Sequence, residues 1–150
     1  VGPLMAAGVR SLFTTTVVLV AGLIGGVGLP GVGGTLVVYL LAIGFSAATA
    51  CWSMGVALRA RTIQSAPLMQ VVVFLSVFMS VAYAPREALT GWLHHISNIN
   101  PVTYLLEASR AAELSYLGWD ELWKASAAVA LLVGLLGAWA LAGLRGLARR

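Results

Sequence analysis

The side chains able to do chemistry are few and unevenly placed. The chain carries nine Lys and Arg, five Asp and Glu, two His and one Cys. Glu107, Arg110 and Glu113 recur at three-residue spacing. Groups three apart on a helix can pair, so this run is either a solvated ion-pair ladder or a charge cluster that seats a short helix or meets a ligand. Asn100-Pro101 precedes it; Asn suits a helix N-cap and Pro the first helical position. His94-His95 suggests a metal site. Adjacent helical residues point in different directions, and a closed site needs about four ligands, so an interfacial polar pair is the plainer reading. Cys51 stands alone and can form neither an intrachain disulfide nor a cysteine cluster. Ser46, Thr49 and Ser53 share a helical face with Ala42 and Ala57, and Ser76 shares one with Ser80. Such faces serve helix packing with local hydrogen bonds, or a weakly polar lining along a path. The glycine-rich stretch 25–34 lacks the Gly-Lys-Ser/Thr of a phosphate loop, and the only lysine, Lys124, follows Trp123. No ATP site and no cofactor are expected.

Most of the sequence must therefore position rather than react. Of its 150 residues, 60% are hydrophobic and 9% charged. A soluble domain carries roughly 25% charged residues, so a bilayer is the expected solvent. The formal charge of +4 does not point to nucleic acid, because the basic residues are scattered and a binder needs a patch or stripe. The start shows no basic region followed by a short apolar core and a cleavage site, so no signal peptide is expected.

Charge-free runs give the organisation. Residues 11–58 carry no charge and hold Gly25, Gly26, Gly28, Pro30, Gly31, Gly33 and Gly34 at their middle. A span takes about 20 residues, so this run predicts two spans, near 11–28 and 35–58, around a glycine-rich turn. Gly22 and Gly26 have the small-xxx-small spacing of close helix contact. The run 62–85 predicts a third span at 67–84, and 125–144 a fourth at 121–144, with Asp120 as N-cap and Trp119 and Trp123 at an interface. The predicted cores of all four spans are free of charge. Proton-coupled transport, intramembrane proteolysis and metal-dependent lipid chemistry would each need intramembrane ionisable groups, so an enzyme is not expected.

Four spans place both ends on one side. That side receives Arg10, Arg59, Arg61, Arg145, Arg149 and Arg150 and no acid; the other receives three basic and five acidic residues. The positive-inside rule predicts cytoplasmic termini. The segment 86–119 then lies outside. Leu89, Trp92, Leu93 and Ile96 have amphipathic helical spacing, and Asn98-Ile99-Asn100-Pro101 breaks it. A second helix follows, with Val102, Leu105, Leu106 and Ser109 along one side. The expectation is an all-α polytopic membrane protein: four spans, with a pair of short interfacial or re-entrant helices before the last.

The run Asn100-Pro101-Val102-Thr103-Tyr104-Leu105-Leu106-Glu107-Ala108-Ser109-Arg110 resembles the signature of type-2 ABC transporter permeases. Pro85-Arg86-Glu87 and then Trp92-Leu93 are similar to the approach to that signature in drug-resistance exporters. Ser109 departs from it, standing where a bulky apolar residue is usual. The resemblance covers 10–150 and implies the permease subunit of an ATP-driven exporter of an amphipathic drug or lipid-like compound. It implies a homodimer or heterodimer with a similar permease, among membrane lipid, in the plasma membrane of a bacterial cell. ATP would be hydrolysed on a separate cytoplasmic ATPase subunit. Asn100, Pro101, Glu107 and Arg110 would belong to an external gate, and Arg59 and Arg61 to a cytoplasmic coupling loop. Such permeases have six spans, so a chain of four that starts at Val1 reads as the C-terminal portion of one. The alternatives are a permease for polysaccharide or another lipid-linked polymer, and a non-transporting membrane assembly or anchoring subunit.

Overall fold

The computed structural model describes residues 2–26, 28, 30–82 and 88–148. Its elements are helices: α1 (Gly2–Ile24), α2 (Val32–Ala60), α3 (Ala66–Phe78), α4 (Trp92–Ile99), α5 (Pro101–Glu113) and α6 (Trp119–Ala148), with a 3-10 turn at Ile63–Ser65 before α3. α1, α2 and α6 are long and apolar enough to cross a membrane; α3 is apolar but shorter.

The glycine-rich turn forms where the sequence places it. α1 ends as the Gly25 and Gly26 N–H groups bond back to Ala21 and Leu23, and Gly26 takes a φ of 84°. Only glycine enters that region without steric cost. At its other end α1 runs back to Gly2. Pro3 is tolerated in a first turn, and nothing from Leu4 to Val9 breaks the helix. Arg10, expected just outside the first span, therefore lies within a 23-residue helix.

The third expected span is corrected in length. α3 has 13 residues, about 20 Å at 1.5 Å per residue, against a hydrocarbon core of about 30 Å. The helix ends at Phe78, with the Met79 N–H still bonded to the Leu75 carbonyl, and a turn over 79–82 follows. The expected end of that span, and the Pro85-Arg86-Glu87 of the resemblance, fall outside the described residues, as do Arg149 and Arg150. α6 is longer than expected and starts at Trp119, so Asp120 is in its first turn, not at its cap. The Gly118 N–H instead donates to Glu121 Oε2 at 3.1 Å. That is the backward half of a capping box. Asp120 pairs with Lys124 one turn on, at 3.3 Å.

The core joins α2, α5 and α6. Leu41, Leu105, Ala108, Ala125 and Ala128 are buried together, with Phe45 and Val129 packed on them. α2 and α6 touch through small residues: a Cβ on Gly44 would stand 2.5 Å from Val129, and one on Gly55 would stand 2.3 Å from the Trp139 ring. Gly22, by contrast, has nothing within 4 Å, and Gly26 lies beyond the helix. The close contact is thus built on α2 and not on the Gly22/Gly26 pair of α1.

Candidate functional site

The α4–α5 corner is set by its own side chains. Asn100 is extended (φ −72°, ψ 115°), and its Oδ1 accepts from the Val102 N–H at 3.0 Å, with Pro101 opening α5. Its Nδ2 donates to the Ser76 carbonyl at 2.6 Å. Tyr104 Oη closes the turn on the Asn98 carbonyl at 2.7 Å. Arg110 donates through Nη2 to the Val81 carbonyl at 3.0 Å. Asn100, at the N-cap of α5, thus satisfies a carbonyl that the last turn of α3 leaves open, and Arg110 satisfies one in the turn that follows. Protein donors replace the helical bonds that a continued span would have made.

The two short helices form a hairpin that enters the bundle. Val102 shares a cavity of about 210 Å³ with Ala48 and Trp52 of α2 and Leu132 of α6. At the far end of α5, the Ala112 carbonyl lies 2.7 Å from where a Cβ on Gly34 would stand. α5 therefore runs from the middle of α2 back toward its start, and the corner sits deep. Non-helical backbone at such a depth requires protein around it; the Asn100 and Tyr104 bonds supply part of that. Val102, Thr103, Leu105, Ala108, Ala111 and Ala112 are buried. The expected stripe of Val102, Leu105, Leu106 and Ser109 is displaced, since Leu106 and Ser109 are only half-buried. Thr103 is fully buried and its Oγ1 has no hydrogen-bond partner, like Asn98 Oδ1.

Among the expected gate residues, Asn100, Pro101 and Arg110 thus meet the end of α3. Glu107 is half-buried on the same helix and Glu113 is exposed. Arg59 and Arg61 lie elsewhere, at the end of α2. Arg59 is in the last helical turn, not in a loop. Its guanidinium lies 4.1 Å from the centre of the Trp139 ring and donates to the Gly55 and Trp139 carbonyls, both at 2.9 Å. Trp52 stacks on the other part of this cluster, 5.1 Å from Trp139. Arg61 caps the helix in the left-handed region, with φ 50°.

A groove of about 670 Å³ opens between α1, α2 and α3, lined by Arg10, Ser46, Thr49, Ser53 and by Ala, Met and Pro side chains. Ser46 Oγ donates to the Ala7 carbonyl at 2.9 Å, and Thr49 Oγ1 to the Ser46 carbonyl at 3.0 Å. This hydroxyl face joins α1 to α2 through Ser46, as expected of a packing face, and it also borders the groove. Arg10 was missed as a lining residue. The signal was present in the unbroken Leu4–Val9 stretch, which extends the helix past it. Trp139 and Gly55 were missed too, because a cross-helix contact leaves no mark on either helix alone.

Fold and sites together define a class: a helical membrane protein with a short helical hairpin bonded to the end of a short third helix, and with a weakly polar lateral groove. The family model described as ABC-2 type transporter matches residues 1–114. The chain belongs to that family, and it is a membrane domain of the transport kind. No curated protein and no solved structure matches it.

Proposed function

We propose that this chain is the permease subunit, or part of it, of an ATP-driven exporter of an amphipathic drug or lipid-like compound. The observation that carries the reading is the groove. It is open to the side, mostly apolar, and furnished with a few hydroxyls. Small-molecule sites are of this kind, about 300–1,000 Å³ with a small number of placed polar groups. Family membership supports the permease role. A separate cytoplasmic ATPase would supply energy, and two permease copies would enclose the path. In this reading the termini are cytoplasmic, the latched hairpin with Asn100, Pro101, Glu107 and Arg110 is the outer gate, and Arg59 and Arg61 face the ATPase.

The test is efflux from vesicles holding the complete permease and its ATPase. Ala50→Trp, which fills the groove, should abolish ATP-dependent efflux of amphipathic dyes while membrane insertion stays normal. Wild-type efflux in that variant would sink the reading. Orientation is tested separately in a Cys51→Ala background. Ser115→Cys, at an exposed position on the hairpin side, should label in intact cells, and Thr62→Cys should not.

A further inference from the structure

We infer that the groove binds an amphiphile with a single negative charge, a long-chain carboxylate in chemical class, and that Arg10 holds its head group. The inference names the substrate class of the proposed exporter and rests on that reading. It starts from depth. The bond from Ser46 to the Ala7 carbonyl fixes the register of α1 against α2, and Thr16 Oγ1 meets Tyr39 Oη at 2.7 Å further along. Arg10 lies between these two levels. Ser46 is the central residue of the 29-residue α2, about 21 Å from either end at 1.5 Å per residue. Arg10 is therefore beside the middle of a helix long enough to span, not at its rim. Its Cα–Cβ bond tilts toward the start of α1, which is the direction of Thr49 and Ser53.

A cation at such depth is costly unless it meets water or an opposite charge, and it marks a functional site by default. Among the described residues no acid lines the groove. The described acids, Glu107, Glu113, Asp120 and Glu121, are on α5 and the first turn of α6, toward the other end of α2. Neither Arg10 nor Ser53 has a hydrogen-bond or ion-pair partner among the described residues. Among the described residues, Arg59, Arg61 and Arg145 are also near the groove's end of the bundle and add a field that draws anions toward it. The Ser46 and Thr49 hydroxyl protons are taken by the Ala7 and Ser46 carbonyls, so the free donors in the groove are the Arg10 guanidinium and the Ser53 hydroxyl, and one cation with one hydroxyl matches one carboxylate. A phosphate monoester would bring about two charges against one cation. Ala50, Met54 and Met69 supply an apolar wall for the tail. A bare inorganic anion would leave that wall and most of the volume unused.

The experiment is photolabelling of the complete permease, without its ATPase, in nanodiscs of zwitterionic lipid. The probe is a sixteen-carbon carboxylate carrying a diazirine, with adducts mapped by mass spectrometry. Its methyl ester and its trimethylammonium analogue are the controls. The carboxylate should label the groove walls, at Met54 and Met69, at least about tenfold more than either control, the range of one charge-assisted hydrogen bond. Arg10→Gln should reduce carboxylate labelling to the ester level, and Arg10→Lys should keep most of it. If Arg10→Gln fails to insert, Ala50→Trp keeps the charge and blocks the space, and it should abolish labelling at both methionines. Labelling that ignores head-group charge, or that survives loss of Arg10 or closure of the groove, would overturn the inference. Transport is not part of this readout. Charge-selective labelling without ATP-driven efflux would defeat the exporter reading and leave the site standing, and efflux without charge selectivity would do the reverse.

Discussion

α2 meets α6 and α1 on different terms. Against α6 it presents Leu41, Gly44, Ala48, Cys51 and Gly55, three and four residues apart, and Val129 and Trp139 come close enough to exclude any side chain at the two glycines. The Trp52–Trp139 stack and the Arg59 contacts extend that seam. Against α1, α2 presents Ser46, Thr49 and Ser53, and α1 has no buried residue at all. One face is close-packed and the other is held by a few hydroxyl bonds around a space. In lipid, helices associate by close packing and polar contacts and not by hydrophobic exclusion. The α2–α6 pair is thus the close-packed frame, and α1 is joined to it by hydroxyl bonds beside an open groove.

The largest expected effect breaks the frame. Gly55→Leu drives a side chain into the Trp139 ring and should cost about 3 kcal/mol, read as a lower unfolding temperature and a smaller monodisperse fraction in detergent. Normal stability would show that α2 and α6 are not the frame. Next comes the latch. Asn100→Ala removes both the cap and the tie to Ser76, about 2 kcal/mol locally. Insertion should be unchanged, hydrogen exchange at the end of α3 and the start of α5 should rise, and efflux in the complete transporter should fall. Arg110→Gln should raise exchange around Val81 in the same way. Unchanged exchange in both would mean that the hairpin does not depend on these bonds.

Arg59→Gln should be milder, about 1 kcal/mol from the lost cation–π contact and carbonyl bonds. It also separates two roles. A clamp predicts lower thermal stability with ATP-coupled efflux intact; a coupling residue predicts lost efflux at nearly unchanged stability. The smallest effect is expected on α1. Gly22→Ala meets nothing within 4 Å and should stabilise by up to about 1 kcal/mol through helix propensity. A loss comparable with Gly55→Leu would make α1 part of the frame and erase the contrast.

The bilayer as solvent, the all-α class, the glycine-rich turn, the two long helices around it, the last helix and the Asn100-Pro101 corner were all legible in the chain, because each rests on local physics. Apolar length fixes what can cross, Gly26 alone suits a φ of 84°, and an Asn side chain caps the N–H two residues on. The length of α3 was not legible. An uncharged apolar run satisfies a full span and a half-span equally, and the choice lies with Asn100 and Arg110, which supply donors to Ser76 and Val81 from 24 and 29 residues away. The place of Arg10 in the groove was not legible for a related reason. The sequence shows a lone arginine beside an apolar run; its depth depends on the register of α1 against α2, marked by Ser46 on the Ala7 carbonyl and by Thr16 against Tyr39. Local rules decide what an element is. Where it stops, how deep it sits and what it faces are decided by donors and contacts that only the packed chain brings together.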